Sequence, residues 1–221
     1  VTALSATKKY TKDSTYTVRV VSISDQGCTD TAEKTVIVYP KAKTNFTIGS
    51  TPQCILGNKF NYVSSTTIKS GTYTLNWQYG DGLTAGNVNS TSHNYSNVQN
   101  YNVRLFSTSN FGCLDTVTKQ IKTLPMPNAG FTYNYDQKCL KGNDFQFSTN
   151  STVSNGTPMN HNWFYGDNDS TINSTFGQHT YQTDGPFVVR LISSTNIGGC
   201  KDTLNKTVNV FPMPLASFTI D

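Results

Sequence analysis

The sequence predicts an all-β chain, a tandem series of two-sheet sandwiches, and three observations lead there. The composition is that of strands and turns: charged residues make up only 14 % of 221 residues, Tyr and Phe number 12 each, and Thr, Ser and Asn are abundant. Apolar residues alternate with period two, so that Tyr101, Val103 and Leu105 share one face while Asn102 and Arg104 lie on the other. The chain also repeats itself.

That repetition sets the frame for everything else. Phe46-Thr47 recurs as Phe131-Thr132 and Phe218-Thr219, Cys54 as Cys139, Trp77 as Trp163, and Asp81 as Asp167. His93-Asn94-Tyr95 recurs as His179-Thr180-Tyr181. YNVRLFSTSNFGCLDT (Tyr101 to Thr116) matches FVVRLISSTNIGGCKDT (Phe187 to Thr203), and YTVRVVSISDQGCTDT (Tyr16 to Thr31) is a third copy. The markers give a period of 85 to 87 residues. Residues 1–40 read as the C-terminal part of one repeat, 41–125 and 126–212 as two whole repeats, and 213–221 as the start of a further one. The segment is therefore expected to be a window on a longer array. The joints YPKAKTNF, LPMPNAGF and FPMPLASF are short and carry proline, which predicts a jointed rod. About seven short strands in roughly 85 residues predict an immunoglobulin-like sandwich for each repeat.

Several function classes drop out on composition. A net charge of +4, spread along the chain with no basic cluster, argues against nucleic-acid binding. No apolar run approaches the ~18 residues that cross a bilayer, so this segment is not expected to insert in a membrane. An enzyme needs a convergent constellation, and no Gly-x-Ser-x-Gly, His-Glu-x-x-His or phosphate-binding loop occurs. His93 and His179 are repeat markers, best read as packing beside the Tyr that follows them, and His161 is isolated and expected to be exposed. Arg19, Arg104 and Arg190 recur on the face opposite the core, either to pair with sheet neighbours or to form a basic stripe. The segment is predicted to be non-catalytic, with no cofactor.

The most distinctive stretch is WQYGDG, Trp77 to Gly82, which returns as WFYGDN, Trp163 to Asn168. Trp77 and Trp163 are suited to anchor a core-facing strand. Gly80, Gly82 and Gly166 permit a sharp reversal, and Asp81 and Asp167 can accept hydrogen bonds from the turn's own amides. This turn, the His-x-Tyr that follows and the YNVRL or FVVRL strand occur in order, twice. Together they resemble tandem PKD repeats (the polycystic kidney disease module) over the whole chain. The second copy departs at Asn168, where that family prefers Gly, but Asn tolerates the left-handed backbone. The partial first copy has Lys8 where the others have His. Calcium held by Asp81, Asp167 and Asp169 is the functional rival to a structural turn, although one carboxylate per turn is few for that ion.

Each whole repeat carries an early and a late cysteine, Cys54 with Cys113 and Cys139 with Cys200, while Cys28 is the late cysteine of a copy whose early half lies upstream. An even count per repeat without Cys-x-x-Cys points to disulfides in an exported protein. Cys54–Cys113 and Cys139–Cys200 are the favoured pairs, with Cys28 unpaired in this window. The alternative is Cys54–Cys200, which follows if the early and late cysteines sit at opposite ends of a domain.

A further recurrence follows the late cysteines. Asp precedes Thr31, Thr116 and Thr203, and a similar form surrounds Ser14 and Ser170. These five hydroxyls resemble the Asp-Ser/Thr-apolar acceptors of protein O-glycosylation in Bacteroidota; ordinary Asp-Thr turn chemistry is the alternative. The paired cysteines and the GCxDT ending likewise resemble PKD arrays of Bacteroidota surface proteins, including gliding-motility adhesins. That resemblance implies a structural and adhesive segment of a very large cell-surface protein, exported through the periplasm by the type IX system. Its partners would be neighbouring repeats, and surface polysaccharide or other cell-surface and secretion proteins. A spacer in a secreted polysaccharide- or protein-degrading enzyme is the second reading.

Overall fold

Alternation becomes strand throughout a computed structural model that describes residues 5–154 and 156–220; the expected outer ends at Val1 and Asp221 lie outside them. No helix occurs among the described residues, and the strands form two three-stranded sheets, two five-stranded sheets and one hairpin. The hairpin pairs β1 (Ser14–Ile23) with β2 (Thr29–Val38). Its apolar residues remain open to solvent, with Val20 and Ile23 63 % and 67 % exposed.

Residues 46–124 form eight strands: β3 (Phe46–Ile48), β4 (Gln53–Cys54), β5 (Phe60–Ser64), β6 (Tyr73–Gln78), β7 (Thr84–Ala85), β8 (Ser90–His93), β9 (Asn100–Ser109) and β10 (Leu114–Leu124). They give sheets of order β3-β5-β8 and β4-β10-β9-β6-β7. Residues 131–211 repeat the plan with β11 (Phe131–Tyr133), β12 (Gln137–Cys139), β13 (Phe145–Thr149), β14 (Met159–Phe164), β15 (Ser170–Thr171), β16 (Phe176–His179), β17 (Gly185–Thr195) and β18 (Lys201–Phe211). The count exceeds seven by one, and two features of the strand plan stand out. The first strand is cut in two, β3 pairing antiparallel with β5 and β4 parallel with β10, and a two-residue strand follows the Gly-Asp turn.

Each core lies between a three- and a five-stranded sheet. Trp77 is fully buried and packs edge-on to Phe46 at 5.1 Å, as Trp163 packs on Phe131 at 5.3 Å. Both indole nitrogens donate to a backbone carbonyl at 2.9 Å, Val88 in one copy and Ser174 in the other, so each ring is buried without leaving its polar atom unpaired. His161 corrects the sequence expectation. It is 5 % exposed, and its Nδ1 lies 3.0 Å from the Ser193 hydroxyl. It stands two residues before Trp163 on the same strand, hence on the same inward face.

Contacts divide the chain into two compact units: Val1–Ser50 with Phe60–His93 and Asn100–Ile121, and Thr51–Lys59 with Asn94–Gln99 and Lys122–Asp221. The disulfide belongs to the second unit, and it corrects the expected pairing. Cys54 bonds Cys200, with Cα atoms 5.6 Å apart, while Cys28, Cys113 and Cys139 carry free thiols. Strand geometry rules out Cys139–Cys200: Cys139 pairs with Phe211 at one end of β18, whereas Cys200 precedes its other end. Ten or so residues at about 3.3 Å each put roughly 30 Å between them. Cys54–Cys113 fails for the same reason, because Cys54 pairs with Leu124 at the end of β10 and Cys113 precedes the start of that strand.

Candidate functional site

The recurring Gly-Asp turn closes β6 and β14. Gly80 and Gly166 have φ near 90°, and a Cβ on either would lie 2.8 Å or 2.9 Å from the carbonyl oxygen of Asn102 or Val188 on the neighbouring strand. Only glycine fits there, both for conformation and for space. Gly82 and Asn168 occupy a second left-handed position with φ of 96° and 77°. The Leu83 amide donates to Asp81 Oδ1 at 3.1 Å, and the Asp169 amide donates to Asp167 Oδ1 at 3.2 Å.

The other oxygen of each aspartate meets a histidine. His93 Nε2 lies 2.6 Å from Asp81 Oδ2, and His179 Nε2 lies 2.6 Å from Asp167 Oδ2. Each imidazole stacks flat on the tyrosine of the turn, His93 on Tyr79 at 4.0 Å and His179 on Tyr165 at 4.4 Å. Burial acts to raise the Asp81 carboxyl, but the His93 hydrogen bond, the Leu83 amide and the imidazole charge outweigh it and hold it below its ordinary value. Burial is the largest influence on Tyr165 and Tyr181 and pushes both phenols up. The Asp-His-Tyr stack thus fastens β8 or β16 to the turn.

The calcium rival would draw on the same oxygens. Asp169 Oδ1 accepts the Ser170 amide at 2.8 Å, and its Oδ2 lies 3.6 Å from His179 Nδ1. Among the described residues, no group of three or more His, Cys, Asp or Glu side chains is placed to hold a metal.

The Asp-Thr recurrence has a structural role that the sequence did not reveal. Asp115 Oδ2 accepts the Thr44 amide and Oδ1 pairs with Lys41 Nζ, both at 2.8 Å; Asp202 Oδ2 accepts the Ala129 amide at 2.8 Å. Each aspartate therefore ties the chain entering a repeat to that repeat's last hairpin. Burial acts to raise the Asp115 carboxyl, but Lys41 and Thr44 hold it below its ordinary value. The neighbouring hydroxyls Thr31, Thr116 and Thr203 are exposed on strands, as are Ser14 and Ser170.

Two further fixtures escaped the sequence reading. Asn58 donates to the carbonyls of Ile55 and Tyr95 and accepts the Tyr95 amide; Asn143 does the same with Leu140 and Tyr181, all at 2.7–2.9 Å. Lys119 donates to the Phe46 carbonyl and lies over its ring at 5.1 Å, as Lys206 does with Phe131 at 5.0 Å. The signal was present: CILGN recurs as CLKGN, and a lysine stands six residues after each of Cys113 and Cys200. Of the three arginines, Arg190 lies over Phe164 at 4.5 Å and Arg19 faces Glu33 across the hairpin.

A profile of the PKD domain family matches residues 46–123 and again 125–210. Among solved structures, the chain is similar to the PKD1 domain of Vibrio anguillarum Epp, with 18 % identity over 37 % of this chain and 92 % of that one, TM-score 0.33. It is similar to the PKD1 domain of the Vibrio cholerae metalloprotease PrtV, with 20 % identity over 39 % and 98 %, TM-score 0.33. It is also similar to the fibronectin(III)-like modules of Clostridium thermocellum CbhA, with 10 % identity over 80 % and 100 %, TM-score 0.42. No curated protein matches the chain.

Proposed function

The chain belongs to the PKD domain family, and from that premise we propose that it is a non-catalytic structural and adhesive segment of a large exported cell-surface protein. The observation that carries this reading is the tandem pair of family matches joined by the Cys54–Cys200 bond. A disulfide suits an oxidising compartment, as an exported protein meets in the periplasm and beyond. A bond between cysteines 146 positions apart in sequence also suits a part whose work is to hold shape under load. In the chain-entropy model it stabilises by about 5 kcal/mol.

The repeat frame belongs to the same proposal. Residues 41–125 and 126–212 are whole repeats, 1–40 the end of one before them, and 213–221 the start of another. The array belongs to a surface adhesin similar to those of gliding Bacteroidota, exported by the type IX system, with glycans on Ser14, Thr31, Thr116, Ser170 and Thr203. Surface polysaccharide or another cell-surface protein is its partner.

In-frame deletion of residues 41–212 from the parent protein tests the reading. Adhesion or surface movement of intact cells should fall while secreted hydrolytic activity is unchanged. Normal adhesion with a loss of polymer hydrolysis would overturn it in favour of a spacer within a secreted enzyme.

A further inference from the structure

The three free cysteines share a geometry with the two that are bonded. Cys28, Cys113 and Cys200 each sit in a hairpin turn, and their carbonyls accept the amide of Ser24, Ser109 or Thr195 at 2.8–2.9 Å. Cys54 and Cys139 each pair in parallel with the last residues of a repeat, opposite Leu124 and Phe211, and both of these residues precede a proline. The next amide in each case, Ile55 or Leu140, donates to the carbonyl of Leu124 or Phe211 at 2.7 Å or 2.8 Å. Early and late cysteines therefore keep fixed places in every copy.

The surroundings of the bond recur as well. Leu124, opposite Cys54, lies against Gly198, two residues before Cys200; a Cβ on that glycine would collide with Leu124 Cδ1. One copy earlier, Tyr39 holds the place of Leu124. Its ring stacks on Phe111, two residues before Cys113, at 4.1 Å. Tyr39 and Cys113 line one open cavity. In the bonded copy the corresponding place, opposite Leu124 and beside Cys200, is filled by Cys54.

We propose that the free thiols belong to a continuing ladder in which the early cysteine of each repeat bonds the late cysteine of the next. This rests on the array reading above. Moved by the 146-residue separation of Cys54 and Cys200, the partners of Cys28 and Cys113 fall before Val1 and that of Cys139 falls beyond Asp221. One rule thus accounts for all five cysteines. Each rung forms by exchange with a disulfide-bearing oxidase. One thiolate attacks the oxidant's disulfide and releases one of its thiols, and the second thiolate then displaces the other. Two protein thiols are oxidised and one oxidant disulfide is reduced to a dithiol.

The separation exceeds the repeat period, so successive rungs overlap. The shortest covalent path along the array would jump from rung to rung and use little more than the stretch from Cys113 to Cys139 in each pair of repeats. Tension would bypass most of the sandwiches.

Peptide mapping of the full-length protein from its own cells, with thiols blocked before lysis and no reductant, tests the ladder. Cys139 should be joined to a Gly-Cys-x-Asp-Thr peptide from beyond residue 221, and Cys113 and Cys28 to early-cysteine peptides from before residue 1. Alkylated thiols at these positions, or bonds among the three, would overturn the ladder while leaving the array reading intact. A full-length sequence without further repeats would overturn both.

Discussion

The two PKD-domain copies, matched over residues 46–123 and 125–210, differ most usefully at one core position. Leu75 and His161 occupy the same place, two residues before the tryptophan, and are equally buried at 4 % and 5 %. Beside them, Ser107 and Ser193 are both fully buried. In the first copy the Ser107 hydroxyl pairs with Thr44 Oγ1 at 2.6 Å. In the second, Ala129 replaces Thr44, and Ser193 pairs instead with Ser151 at 2.7 Å and His161 at 3.0 Å. A buried hydroxyl must have a partner, but the fold leaves open which strand supplies it. What both copies share is the framework around that choice: the tryptophan, the glycine against the neighbouring strand, the Asp-His-Tyr stack and the buried Asn.

The first way to break this equivalence is to remove the tryptophans. Trp77→Ala and Trp163→Ala should each cost about 3–5 kcal/mol. The chain has two tryptophans, so in either variant the remaining indole reports on the other copy. Urea titration by fluorescence and by circular dichroism should show the altered copy unfolding early. If one substitution leaves its copy's midpoint in place, the two cores are not built alike.

Next come Gly80→Ala and Gly166→Ala, each expected to cost about 2–3 kcal/mol, because left-handed backbone strain adds to a clash with a strand carbonyl that cannot move away. The same circular-dichroism titration measures it. A change below 1 kcal/mol in either copy, roughly the strain alone, would mean that the neighbouring strand gives way.

Much of this framework was legible in the sequence. Alternation placed Tyr101, Val103 and Leu105 inside, and the Gly-Asp turn marked the ends of β6 and β14. His161 was misread as exposed: it lies two residues from Trp163 and so on the inward face, but its polar neighbours Asn160 and Asn162 hid that spacing. The disulfide was legible only as the second of two pairings, Cys54–Cys200 standing behind Cys54–Cys113 and Cys139–Cys200. Its connectivity depends on the first strand crossing between sheets as β3 and β4, which carries Cys54 to the end opposite Cys113. Spacing along the chain holds no record of which end a cysteine reaches. Nor did it show that Asp115 and Asp202 hold the chain entering their own repeats, since that contact joins residues 71 and 73 positions apart.

Acid should separate the copies in a smaller way. Burial lowers the His161 pKa from its ordinary 6.5. The unfolded chain then binds the proton more readily, so the stability of the second copy is complete above that value and falls as pH drops from there through the folded-state pKa. Asp81 and Asp115 are held below their ordinary 3.8, so their contribution to the first copy is complete above that value and is lost only as pH falls further. Urea midpoints between pH 7.5 and 5 should therefore decline more steeply for the second copy, and His161→Leu should remove the excess. An equal decline in His161→Leu would assign the acid sensitivity to groups common to both copies.

The smallest effect is expected at Gly82 and Asn168, which fill one left-handed position with different residues. Asn168→Gly relieves a side chain of an uncommon backbone region but frees the unfolded chain to explore more conformations, and these act in opposite directions. Gly82→Asn reverses both contributions in the other copy. A Cβ on Gly82 would meet nothing within 4 Å, so no clash intervenes. Each exchange should change stability by less than about 0.5 kcal/mol. Thermal melting of the two single variants and of the double exchange is the check. A loss of more than about 1 kcal/mol in Asn168→Gly alone, with Gly82→Asn neutral, would exceed backbone bookkeeping. It would show that the Asn168 side chain supports the second turn by a contact the first turn does without.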